Sequence, residues 1–259
     1  MTVVKHSFLE DIAVIEISNP PVNAISGEVR IELLQTVKTL SLEDKVKAIV
    51  ITAPNRTFLA GADIKEFGKN IDAPILSEIC DEIENLDKLV VASLHGTPLG
   101  GGLEVAMSAH YRIAAPNTKV GLPEVLLGIL PGAGGTQRLP RLCGVSMALD
   151  MMLTGKHVPI KEAFDNGIID EIAAENVVTD ASKIFFVIKL GENTESPSCA
   201  VAAQWYKSEQ SLIAFCILSK SQQSHKVKST KSGTLSSSPP INVSLPATSQ
   251  PNSFIFRAK

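Results

Sequence analysis

Long apolar runs, paired cysteines and any excess of positive charge are all missing from this chain. Each absence removes a class of protein. No uninterrupted apolar stretch approaches the roughly 18 residues that a membrane-crossing helix requires. The cysteines, Cys80, Cys143, Cys199 and Cys216, are far apart and form no C-x-x-C pair, which fits a reducing compartment and buried thiols. The formal net charge is −3, so no broad basic surface is offered to nucleic acid. That balance conceals an asymmetry: the last acidic residue is Glu209, and six basic residues follow it. The opening MTVVKHSFLEDIAVIEI lacks the shape of a signal peptide, and the closing FIFRAK matches no targeting tripeptide or lipidation signal.

Several motifs are missing too. The stretch 97-TPLGGGLE-104 lacks the lysine and serine of a phosphate-binding P-loop. In 132-GAGGTQ-137 a glutamine takes the place of the last glycine of a dinucleotide fingerprint, and no clean long strand precedes it. There is no G-x-S-x-G elbow for a hydrolase nucleophile. His6, His95, His110, His157 and His225 are scattered with no ligand spacing, so no metal site is expected. His95 ends a strand, where active residues often lie, but a packing or turn role is the plainer reading.

What is present is a layered α/β pattern. With 44% apolar residues among 259, a sizeable core can form. Strands are expected at 12-IAVIEI-17, 46-VKAIVIT-52, 89-LVVASL-94 and 168-IIDEI-172, with shorter ones at 111–115 and 119–122 around a turn. Helices are expected over 27–40, capped by Ser26, near 73–87 with Ile75, Ile79, Ile83 and Leu86 on one side, and from about 101. Further helices fall near 133–141, 145–153 and 159–166. Strand–helix alternation of this kind builds a layered α/β domain. Residues 175–217 are weakly helical in pattern. Residues 219–259 hold eleven serines, four prolines and no acid, which reads as an irregular tail. The expected division is therefore 1–190, 191–218 and 219–259.

Two glutamates sit oddly beside glycine. Glu104 falls in the first turn of a small, apolar helix entered through Gly100, Gly101 and Gly102. It is either a helix-dipole partner worth under about 1 kcal/mol or a carboxylate held in a dry pocket. Amides at a helix N-terminus lack intrahelical partners, and glycines leave them open to a ligand. Two such amides on separate loops make an oxyanion hole, and 60-AGAD-63 supplies a second loop of small residues. Asp63 reads first as a helix cap. Glu124 follows Pro123 in a stiff turn and precedes Val125, Leu126 and Leu127, an expensive place for a carboxylate unless it is paired or used. Two carboxylates beside such a hole suit proton transfer next to a carbonyl.

These stretches resemble the enoyl-CoA hydratase/isomerase, or crotonase, family. The likeness is carried by NPPVNAIS, FLAGADIKEF, HGTPLGGGLEVAMSAHYRIA, VGLPEVLLGILPGAGGTQRLPRL and LTGKHVPIKEAFDNGIID, in that order over about residues 10–175. It is similar above all to the bifunctional branch, in which such a domain is joined to a 3-hydroxyacyl-CoA dehydrogenase. The resemblance implies a spiral of ββα repeats with a helical C-terminal region. It places the oxyanion amides at Ala62 and Gly101 and the catalytic acids at Glu104 and Glu124. Glu104 would hold the water and Glu124 would move the proton at the α-carbon. Ala60, Gly61, Ala62, Asp63 and Ile64, with Gly101, would line the cleft for CoA. It implies no cofactor beyond the CoA of an acyl-CoA thioester substrate, assembly as a trimer or as part of a monomer, and a peroxisomal setting, with cytoplasm or mitochondrion as alternatives. His95 departs from the asparagine or glutamine of the family.

The expected function is hydration of trans-2-enoyl-CoA to 3-hydroxyacyl-CoA in fatty-acid β-oxidation. The alternatives are Δ3,Δ2-enoyl-CoA isomerisation, although the isomerases of the family commonly keep only one of the two acids, and a truncated, non-catalytic acyl-CoA-binding homologue.

Overall fold

The computed structural model of the chain describes residues 2–54, 56–69, 72–174 and 177. The aliphatic, β-branched strings of the sequence become the middle of one sheet. Its strands are β1 (Val4–Leu9), β2 (Ile12–Ile17), β3 (Ala48–Thr52), β4 (Leu89–Leu94), β5 (Tyr111–Ala114) and β8 (Glu171–Ile172), in the spatial order β1-β2-β3-β4-β5-β8. β1 runs antiparallel to β2; the remaining pairs are parallel. Every residue of β3 and β4 is buried, as parallel strands covered on both faces require. A two-stranded sheet pairs β6 (Lys119–Val120) with β7 (Val158–Pro159).

One sheet face carries Ile15, Ile17, Ile49, Ile51, Val90 and Ala92 into the main core. Helices α1 (Gly27–Leu42), α2 (Leu76–Glu84) and α3 (Gly101–Ser108) pack in the same cluster. The other face holds a second cluster around Ile12, Val14, Val50, Val91 and Ile113. Each such aliphatic side chain, fully buried, contributes about 1.5–3 kcal/mol. Ser26 caps α1 as expected, its hydroxyl accepting from Val29 N at 3.4 Å. Val29, Leu33, Val37 and Leu40 form the buried stripe. Beyond α3 come α4 (Gly135–Cys143), α5 (Val145–Thr154) and α6 (Ile160–Asp165), the helical region foreseen after the glycine-rich run.

The differences from the expected elements have local causes. β1 was not anticipated, because five of its six residues are exposed and the alternation of an edge strand is faint. α2 is shorter than 73–87: Ile75 is its N-cap and stands 58% exposed, outside the buried stripe of Ile79, Cys80 and Ile83. Pro74 disfavours helical backbone in the residue before it. The strands at 111–115 and 119–122 do not pair with each other; β5 joins the large sheet and β6 turns away to β7. The stretch 175–217, apart from Val177, and the tail 219–259 lie outside the described residues, and with them the boundaries at 190 and 218.

Candidate active site

The site begins where three segments are laced together around the entry to α3. Ile25 forms a parallel bridge with Ala62: Ile25 N donates to Gly61 O at 2.8 Å and Asp63 N donates to Ile25 O at 3.2 Å. In such a ladder the flanking residues spend their groups on the partner, so Ala62 turns its own N–H to the opposite side. Asn23, buried with its side-chain amide on the carbonyls of Ile17, Thr57 and Phe58, holds this loop from below. Asp63 caps a single 3-10 turn, Ile64–Glu66, by accepting from Lys65 N at 3.0 Å, which is the capping role read for it. Ala60 is half-buried and Gly61 buried, while Ala62 and Ile64 are exposed.

On the far side, Gly100 N donates to Gly121 O at 2.9 Å, and Leu99 bridges Gly121. This ties the start of α3 to the segment that carries Glu124. The three glycines then answer three different neighbours. Gly100 lies in the left-handed region at φ +50°, and a β-carbon there would stand 3.0 Å from Glu124 Oε1. A β-carbon on Gly101 would stand 2.7 Å from Leu76 and 3.5 Å from Ala62 N. One on Gly102 would run into the Leu59 carbonyl. The bare backbone therefore lets the helix start press against the Ala62 loop on one side and a carboxylate on the other. Gly101 opens α3, where N–H groups lack intrahelical acceptors. Among the described residues no acceptor takes the N–H of Ala62 or of Gly101.

The two carboxylates are both buried, Glu104 to 3% exposure and Glu124 to 8%, and they are held differently. Glu104 Oε1 accepts from Ala133 N and from Gly135 N, each at 2.8 Å. Burial raises its pKa, and those two amides, with the Arg138 charge, pull it back down. Glu124 sits in a 3-10 turn, Pro123–Leu127. Its Oε2 has no hydrogen-bond partner among the described residues. Burial pushes its carboxyl up to about 7, and the Glu104 charge adds in the same direction. The apolar residues after it do not enclose it: Leu126 and Leu127 are 70% and 55% exposed, and the acid, not the leucines, faces inward.

The structure thus brings the Ala62 loop, the start of α3, Glu104 and Glu124 to one place. His95, at the end of β4, clasps the preceding loop through its carbonyl, which accepts from Phe58 N at 3.1 Å. The amides of Ala133 and Gly135 were not singled out from the sequence. Their signal was the run 132-GAGG-135, weighed there only as a nucleotide fingerprint. Among the described residues no group of three His, Cys, Asp or Glu side chains is arranged to hold a metal ion.

Residues 7–208 match the family model described as enoyl-CoA hydratase/isomerase, and the chain belongs to that family, the crotonase superfamily, whose members act on acyl-CoA thioesters. It is 47% identical over 165 residues to the peroxisomal bifunctional enzyme of Danio rerio, covering 64% of this chain and 23% of that one. A probable enoyl-CoA hydratase of Bacillus subtilis is 44% identical over 165 residues, 61% of this chain and 64% of that one. The chain therefore spans about a quarter of the length of the bifunctional relative. The enoyl-CoA hydratase structure from Bacillus anthracis superposes with a TM-score of 0.67 at 26% identity, covering 88% of this chain and 92% of that chain. The layered sheet with its ββα start and helical C-terminal region is the crotonase fold.

Proposed function

We propose that the chain is a 2-enoyl-CoA hydratase, adding water to a trans-2-enoyl thioester to give a 3-hydroxyacyl-CoA. The observation that carries this reading is the unequal pair of buried carboxylates beside two unspent amides. The N–H groups of Ala62 and Gly101 receive the thioester oxygen as negative charge grows on it. Glu104, held on one oxygen by Ala133 N and Gly135 N, orients a water on the other. Glu124, its carboxyl pushed up to about 7 by burial, is the acid that supplies a proton. The water oxygen bonds to Cβ, and the proton it sheds passes to Glu104. The electron pair of the double bond moves to Cα, which takes the proton of Glu124. Ala60, Gly61, Ala62, Asp63 and Ile64 form the wall against which the CoA portion lies. The setting, by the relatives, is β-oxidation in the peroxisome, and a fluorescent fusion of the full-length protein tests the compartment.

A second reading rests on one feature. Glu124 has a free oxygen and a pKa suited to both taking and giving a proton. It alone can carry a proton between Cγ and Cα, which is Δ3,Δ2 isomerisation. Purified, folded protein mixed with crotonyl-CoA is expected to lose the conjugated enoyl absorbance. Retained absorbance overturns hydration. Conversion of 3-hexenoyl-CoA by such a sample establishes the isomerase instead, and binding without either reaction leaves only an acyl-CoA-binding protein.

A further inference from the structure

Arg138 reaches the site through the backbone that carries the two donors on Glu104. Its side chain is 10% exposed. Nη1 donates to Ala133 O at 2.8 Å, while Nη2 pairs with Asp81 at 2.8 Å and Glu84 at 2.6 Å, both on α2. The placement in the chain matters. Three consecutive peptide units run from Gly132 to Gly135. The first and third supply Ala133 N and Gly135 N, the two donors on Glu104 Oε1. The middle one supplies the carbonyl that Arg138 grips. Gly134, between them, lies at φ +96°, and a β-carbon there would fall on the Arg138 guanidinium. Gly134 O in turn receives Arg138 N at 2.8 Å, closing the loop on the helix that carries the arginine.

We infer that Arg138 is a positioning residue for hydration: by locking the middle peptide to α2 it keeps both amides on one Glu104 oxygen and leaves the other for water. The inference rests on the proposed division of labour between the two acids. Besides Arg138 on α4, the ionisable groups facing Glu104 are Glu124 on its turn and Cys80 on α2. The Cys80 thiol is pushed up to about 12 by burial and stays neutral, so Arg138 is the positive charge that opposes burial of Glu104. Asp81 and Glu84 are the exposed outer ends of the network, at 67% and 52%.

The test is the variant series Arg138→Met, Arg138→Lys and Asp81→Asn with Glu84→Gln. It is read by kcat and KM for crotonyl-CoA, by 3-hexenoyl-CoA isomerisation, and by NMR titration of ¹³C-labelled glutamate carboxyls. Arg138→Met is expected to lower kcat for hydration on the order of tenfold or more, the scale of a misplaced reacting group, with KM and isomerisation far less changed. The Glu104 titration moves upward, because a donor pair loosens and a positive charge is gone. Arg138→Lys recovers part of both effects. A melting temperature that falls while the Glu104 titration and the ratio of the two rates stay put overturns the inference. The titration needs no turnover: if it moves in a protein that hydrates nothing, the positioning role stands and the hydratase reading falls. Should Arg138→Met fail to fold, the lysine variant and the α2 double variant carry the same readouts, and an unmoved Glu104 in both is the overturning result.

Discussion

Two halves of one site treat the same side chain in opposite ways. On the α3 side, Glu104 is more deeply buried and yet is held by two backbone amides and an arginine charge. On the 123–127 side, Glu124 is less buried but keeps an oxygen with no partner among the described residues, and its carboxyl rises to about 7. Burial raises both carboxyls, and the two amides on Glu104 oppose that rise, because a hydrogen bond to the charged form offsets desolvation. The lesson is that a buried acid's role follows from who donates to it.

The largest expected effect tests that contrast directly. Glu124→Gln lowers hydration and isomerisation together by about 10²–10⁴-fold, the range for a lost general acid–base. Glu104→Gln lowers hydration and largely spares isomerisation. Steady-state rates on crotonyl-CoA and 3-hexenoyl-CoA decide it, and equal losses of both reactions from both variants would dissolve the distinction.

A smaller effect comes from pressing on one half only. A β-carbon at Gly135 would stand 2.9 Å from Glu104 Oε1, 3.0 Å from Pro131 and 3.1 Å from Leu122. Gly135→Ala is expected to destabilise by about 1–3 kcal/mol through overpacking, against which helix propensity returns about 1 kcal/mol. Calorimetry reads the lower melting temperature, and the hydration-to-isomerisation ratio falls with it. An unchanged ratio would show that the grip on Glu104 tolerates displacement.

The smallest effect is a pH dependence of stability set by Glu124. Its folded pKa, about 7, lies above the ordinary 4.5, so the native state binds the extra proton between those values. The group's contribution to stability is fully present below pH 4.5 and is lost as pH rises through 7. Glu124→Gln should therefore raise the melting temperature at pH 8.5 and do so less at pH 5.5. An equal shift at both values would mean that Glu124 is ionised throughout.

Much of the fold was legible along the chain because central parallel strands and capped helices carry strong local signals. IAVIEI, AIVIT and LVVASL could hardly be anything else, and Ser26 caps the helix it precedes. The edge strand β1 and the two-residue strand β7 escaped because their partners, not their own patterns, define them, whereas β6 falls within the strand expected at 119–122. The site was legible in its residue types: two glutamates, two glycine-lined turns and their order. The apolar run after Glu124 misled, since Leu126 and Leu127 face outward and the acid faces in.

By itself, then, the order of residues determined the elements, the helix caps and the presence of two acids among small residues, because those depend on neighbours within a turn or a strand. Which amides lie on Glu104, which oxygen of Glu124 goes without, and why three glycines stand together were decided only in three dimensions. Ala133, Gly135 and Arg138 lie some thirty positions from Glu104 along the chain and meet it only when α4 docks against α3. Desolvation and hydrogen bonding act over a few ångströms, and sequence distance does not measure that.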